Sequence, residues 1–433
     1  MMIDRISMNN DRPAIGIWAQ WPDGSRWTNE GMTRLLGFLV EGIAQAGTHV
    51  FRIVLPDSIR DAAESDLRTL NAKIGRDFTL HSPRDYSTRG GDISDLPTFA
   101  NQYVNVEGWL SLFPNFAEAG ELNAPITVIF PDAIPKVFHQ FGDDAWGEEG
   151  AHFRWENDVR HLLARARAVV TFSNHVAREH VGGIFNFPAD RLRVVSHAAP
   201  DLKPLLPFMD GRQRTQESLR QAAEILREEC RNRNDSYLGD FPFEEVPYVA
   251  VSTQDRVTKN IQLIGRAIQV LVRERRKSLK LLTTAPLSYV ERWAVLPKIV
   301  KEAQAQFDVV SIPDLPRQAH AAFLHCASLA VHPSIYEGGH APFPFYEAVS
   351  VGTPCIMALG PHIAELVESE PSISQFCFDS NDCDGLADLI CKTMESRVDV
   401  LTAQQDIYSR LQGTDWSNVA RNYASAALSS AHR

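Results

Sequence analysis

Nowhere in the 433 residues does an apolar run approach the ~18–20 residues that a bilayer-spanning helix needs. Met1 to Arg12 is polar, carries charge of both signs and holds no apolar stretch of the signal-peptide kind, so the expected location is the cytoplasm. Cysteine pairs at CxxC spacing are also missing. The six cysteines are scattered, which argues against a zinc ribbon and reads as free thiols in a reducing compartment. Positive charge is in short supply: 43 Lys and Arg face 54 Asp and Glu, for a net charge of −11. Nucleic acid is thereby excluded as the main partner, since a phosphate backbone demands a basic footprint. A small phosphate-bearing ligand held by a few local cations stays compatible with that balance. So does a weakly basic patch giving peripheral contact with the inner membrane. Short-period repeats and low-complexity segments are absent.

What is present is an ordinary globular balance, 44% hydrophobic and 22% charged, in a chain long enough for two or three domains of ~100–200 residues. Ala14–Trp18 reads as a buried strand, 32–46 as a helix and 49–55 as the next strand, which is the βαβ unit of a parallel sheet. Further strands are expected at 127–130, 168–172 and 192–195, with the first domain closing near Ala199 and Pro200. A charged, helical stretch at 213–233 follows and reads as solvated surface near a hinge. A second strand–helix series starts at Tyr248–Val251 and continues with strands at 279–283, 309–312, 329–332 and 355–358. Two α/β sheets in tandem bind ligands outside the carboxyl ends of their strands, so the cleft between them is the expected site.

Two stretches carry chemistry. In Val331 to Thr353, a buried strand ends at His332, Pro333 and Ser334, Glu337 precedes a glycine pair, and Glu347 is expected to start a helix over 346–351. Gly338 and Gly339 let backbone approach a ligand, and a helix N-terminus favours a diphosphate. The two carboxylates suit sugar or ribose hydroxyls. In Ser252 to Asn260, Arg256 and Lys259 sit in a loop at a strand end, where a guanidinium fork and an ammonium can neutralise a leaving diphosphate. Aromatic and polar residues of the loop after the first strand, Trp21, Trp27 and Asn29 among them, suit stacking on an acceptor sugar, although tryptophans also simply anchor long loops.

These residues resemble a retaining glycosyltransferase of family 4, with the GT-B fold: two Rossmann-like domains facing across a cleft and a C-terminal helix returning to the first. The landmarks are Glu337 to Pro354, Lys259-Asn260, Pro333 to Gly338, Val169 to Ser173, and Trp416 with Tyr423. The resemblance implies an acceptor domain at 1–202, on which 415–433 pack back, and a nucleotide-sugar domain at 203–414. It implies that Glu337 binds donor-sugar hydroxyls, Glu347 the ribose, and Arg256 and Lys259 the diphosphate. Ser252, Gly338, Gly339, His340, Ala341, Phe343 and Pro344 would line the donor, and Gly31 would stand in the phosphate-approach loop. His175, in a turn at a strand end facing the cleft, joins Trp21, Trp27 and Asn29 on the acceptor side. No metal and no cofactor beyond the nucleotide-diphosphate sugar is expected. The motif is more like those of mannosyl and rhamnosyl polysaccharide enzymes, which ranks GDP-mannose first and a UDP- or dTDP-sugar next. The acceptor would be a glycan or lipid-linked oligosaccharide.

Three departures stand out. Nine residues lie between Glu337 and Glu347, two more than the family's usual spacing, which makes His340 either a sugar ligand or part of an insertion. The family's His-Asp appears as Pro131-Asp132, so Asp132 inherits the role of the missing histidine. One extra residue separates Arg256 from Lys259. Other readings are a GT-B sugar-nucleotide epimerase or hydrolase, and a catalytically idle nucleotide-binding scaffold.

Overall fold

A computed structural model describes residues 12–21, 27, 31–86, 95–138, 150–287, 295–339 and 342–429. The first sheet has seven parallel strands in the order β3-β2-β1-β4-β5-β6-β7. They are β1 Ala14–Trp18, β2 Val50–Val54, β3 Phe78–His81, β4 Gly108–Ser111, β5 Ile126–Phe130, β6 Ala168–Thr171 and β7 Leu192–Val194. The second has six, in the order β10-β9-β8-β11-β12-β13. These are β8 Tyr248–Val251, β9 Lys280–Thr283, β10 Val309–Ser311, β11 Leu329–His332, β12 Cys355–Ala358 and β13 Cys377–Phe378. Central strands such as β5 and β11 are buried along their whole length, as parallel strands covered on both faces must be. Among the described residues no helix is long and apolar enough to cross a membrane.

Both sheets reverse their winding once, between β1 and β4 and between β8 and β11. At such a switch point the loops leaving two neighbouring strands diverge and open a crevice. Ser252 follows β8 and the Pro333–Gly339 loop follows β11. The two stretches singled out above therefore flank the crevice of the second sheet.

One apolar core draws on residues from Ile15 to Ala198 together with Val419 to Ala427, and the other on residues from Leu202 to Tyr408. The C-terminal helix, Trp416–Ser429, thus packs in the first domain, against helix Gly31–Ala46. Small residues permit that approach. A Cβ on Gly42 would lie 2.2 Å from the Trp416 carbonyl oxygen. Gly42→Ala would gain roughly 1 kcal/mol in helix propensity. Forcing a methyl against backbone costs more, so a net loss of about 1–2 kcal/mol is expected. Urea denaturation checks the sign, and a stabilised variant would contradict the packing.

Candidate functional site

Lys259 closes a short turn after β8, Val257–Lys259, and Glu337 follows β11. The two loops are tied by a backbone hydrogen bond from Ile335 N–H to the Thr258 carbonyl, 2.9 Å. That tie brings the Lys259 ammonium onto Glu337 Oε1, where Ser334 Oγ also donates at 3.0 Å. Burial works to raise the Glu337 pKa. Its neighbours together outweigh that, the Lys259 charge first among them, and hold the carboxyl well below its usual range. His332 and His362 line the same spot, 3% and 1% exposed. Burial lowers their pKa values to about 4 and about 3, so both rings are neutral at ordinary pH.

The first domain supplies the opposite wall. Asp132 follows β5 and accepts from the Ile134 N–H at 3.0 Å. Its pKa is raised to about 6 by burial, with the backbone bond and Lys259 opposing and Glu337 reinforcing. Arg256 is exposed and close enough for its charge to be felt at Asp132. Four expected residues, Glu337, Lys259, Asp132 and Arg256, therefore share one end of the cleft.

Several contacts hold the two walls together. Ser173 Oγ donates to the Gly338 carbonyl at 3.0 Å. A Cβ on Gly338 would lie 1.8 Å from the Pro131 carbonyl oxygen, so only glycine fits there. Glu365, in helix Pro361–Ser369, accepts from the backbone N–H groups of Asn174 and His175 at 3.0 and 3.1 Å. His180 Nδ1 accepts from the Ala133 N–H at 3.0 Å, which leaves its Nε2–H to face the Tyr336 hydroxyl at 3.2 Å. The His175 ring packs beside His180 and Tyr336, at the cleft.

Glu347 belongs to a second pole. The helix that carries it runs Phe343–Ser350, so Glu347 is in its second turn and not at its start. Pro344 does not delay the helix, because a first-turn proline gives up an N–H that would be unpaired there anyway. Glu347 is fully buried and bound to Arg34, from the first turn of helix Gly31–Ala46. His320 lies near enough to feel both charges, and its Nε2 meets Ser252 Oγ at 2.7 Å. Ser252 thus stands at the Glu347 pole.

Other expected ligands are placed differently. The Phe343 ring is committed to an interdomain aromatic cluster with Phe38, Trp416 and His197, which removes it as a donor-facing side chain. Pro344, the next residue, is half-buried in that first turn. Trp21 and Trp27 are 5% and 2% exposed and pack edge-on at 5.1 Å. Trp27 also donates to Asp66. Neither ring has a face open for stacking on a sugar, so they act as loop anchors; hydrophobic burial outweighs the polar setting that suggested acceptor contact. Trp21 does border a cavity of about 510 Å³ with Gln20, Asp57, Asn115, Glu118 and Asp158. A side chain at Gly31 would meet nothing within 4 Å, so no close approach requires glycine there. Gly339 is half-buried behind Glu337 and Gly338. Asn29, His340 and Ala341 lie outside the described residues. Among the described residues no three His, Cys, Asp or Glu side chains converge to hold a metal ion. Arg34, His180, Glu365 and His362 were not singled out by sequence. Each acts through partners distant along the chain, and only the first-turn position of Arg34, after a loop at a strand end, hinted at a role.

Residues 241–410 match the family model described as glycosyl transferases group 1. No curated protein sequence matches the chain significantly. Among solved structures, sucrose-phosphate synthase from Thermosynechococcus elongatus aligns over 96% of this chain and 98% of its own, with a TM-score of 0.64 and 15% identity. Anabaena Alr3699/HepE, solved in complex with UDP-glucose, aligns over 95% and 98%, with a TM-score of 0.65 and 14% identity. A glycosyltransferase from Rickettsia africae aligns over 96% and 99%, with a TM-score of 0.59 and 13% identity. The fold is GT-B, and the residues that match the glycosyl transferases group 1 model, 241–410, lie in its second domain.

Proposed function

We propose that the chain is a retaining glycosyltransferase that moves a sugar from a nucleotide-diphosphate donor to a hydroxyl of a glycan or lipid-linked oligosaccharide, in cell-surface polysaccharide synthesis. The observation that carries this reading is the Lys259–Glu337 pair at the switch point of the group 1 domain, with Asp132 facing it across the cleft. An ammonium beside a carboxylate held ionised offers one group for departing phosphate oxygens and one for sugar hydroxyls. Arg256 adds a second cation. In this reading these side chains, rather than a metal ion, meet the diphosphate. Glu347 takes the ribose at the other pole.

The acceptor hydroxyl attacks the anomeric carbon on the face that the diphosphate leaves. The bond from that carbon to the phosphate oxygen breaks, the bond to the acceptor oxygen forms, and the departing phosphate takes the acceptor proton. The cavity beside Trp21, at the carboxyl ends of the first sheet's strands, is where the acceptor sits. GDP-mannose is the first donor to test. A UDP-sugar comes next, the Anabaena neighbour having been solved with UDP-glucose.

A thermal-shift series with GDP, UDP, dTDP and CDP tests the donor half. A nucleotide at 100 times its Kd adds about 2.7 kcal/mol to the folded state. Lys259→Ala removes a charged hydrogen-bond donor and is expected to weaken that nucleotide roughly 10- to 100-fold. A chain that none of the four stabilises, or an unchanged Lys259→Ala, would sink the assignment.

A further inference from the structure

Arg34 belongs to the first domain, yet its guanidinium is given to the second. It is hydrogen-bonded to Glu347 Oε1 and lies 5.6 Å from the centroid of the Phe343 ring. The arginine side chain remains 41% exposed, whereas that of Glu347 is completely buried. Glu347 Oε2 is also buried, with no hydrogen-bond partner among the described residues. An ionised carboxylate can accept about four hydrogen bonds, and burying one only partly satisfied is unfavourable. The neighbouring His320 does not relieve it, because burial keeps that ring neutral and its Nε2 is engaged by Ser252. The two domains thus close over a carboxylate whose second oxygen lacks a donor among the described residues.

We propose that Arg34 is the gate of the nucleotide site: it caps Glu347 in the closed form and competes with the ribose diol for that carboxylate. The inference rests on the reading of Glu347 as the ribose ligand. With no exposed surface left on Glu347, a ribose reaches it only after helix Gly31–Ala46 draws back and takes Arg34 with it. The same movement parts Phe38 from Phe343, whose rings meet edge to face at 5.7 Å. Opening and exposure of the carboxylate are therefore one event. Without the guanidinium, the buried carboxylate has no cation among its described contacts, so hydration in the open form is favoured. The closed form is then less populated, and the share of chains able to admit nucleotide rises.

The test pairs Arg34→Ala with Glu347→Gln and reads the Kd of GDP or UDP, whichever binds the wild type, by calorimetry. Small-angle scattering of the ligand-free proteins is the second readout. Arg34→Ala is expected to bind the nucleoside diphosphate roughly tenfold more tightly, because affinity scales with the competent fraction. It is also expected to show a larger radius of gyration without ligand. Arg34→Lys, which keeps the charge, should fall between it and the wild type, while Glu347→Gln should bind more weakly. Equal or weaker binding by Arg34→Ala, with Glu347→Gln still impaired, overturns the gate and leaves the ribose reading intact. Unimpaired binding by Glu347→Gln overturns the ribose reading itself, and the gate with it. Far-ultraviolet circular dichroism and an unfolding curve confirm that each variant is folded, as expected for a half-exposed side chain in a helix's first turn.

Discussion

Glu337→Ala is expected to lower sugar transfer by about 10²- to 10³-fold, the usual cost of removing one preorganised polar group from a reacting centre. The fold should survive. Glu337 and Lys259 keep 26% and 23% of their side chains exposed at the cleft, so water can reach the ammonium that the substitution leaves behind. The catalytic loss is larger because Lys259 and Ser334 aim one carboxylate oxygen at a fixed place. Glu337→Gln retains the shape but can no longer accept at both oxygens, and should recover only a small part of the activity. Initial rates with the donor chosen by the thermal-shift series, together with a melting curve, separate the two effects. Near-normal turnover in either variant would remove Glu337 from the chemistry.

Gly338→Ala is expected to lower turnover about 100-fold while leaving nucleotide binding within a fewfold of the wild type. The added methyl would fall 1.8 Å from the Pro131 carbonyl oxygen, which belongs to the other domain's backbone and cannot turn aside as a side chain would. The walls must separate by more than an ångström, and a displacement of that size at a reacting centre costs on the order of 10² in rate. Lys259 and Glu347, the nucleotide's partners in the proposed reading, both belong to the second domain and are not displaced from each other. Measuring kcat and the nucleoside diphosphate Kd on one preparation checks the split. A variant with normal kcat would show that this closed contact is not the one in which transfer occurs.

The fold was legible wherever burial made a strand uniformly apolar. Ala14–Trp18, Tyr248–Val251, Leu329–His332 and Cys355–Ala358 are recovered to the residue. β13 escaped because it is two residues long, β3 because it is buried only at alternate positions, and β4 because a serine cuts its apolar run short. β4 also opens on a glycine that lies against the Ala427 carbonyl of the returning helix, a reason invisible to local pattern. The Glu337 and Lys259 loops were readable because each follows a recognisable strand. Arg34 was not, because it meets a partner 313 positions away and nothing near it in sequence encodes that meeting. Trp21 and Trp27 show the converse error: polar neighbours suggested stacking on an acceptor sugar, but large rings gain most by leaving water.

The return of residues 416–429 to the starting domain also bears on how the protein is made. The groove along Gly31–Ala46 that Val419, Ala420 and Tyr423 fill stays open until those residues emerge from the ribosome. The amino-terminal half, although synthesised first, is therefore finished last, and the intervening half folds while its neighbour still shows apolar surface. Nascent chains arrested short of Trp416 should be the forms that bind chaperones most strongly.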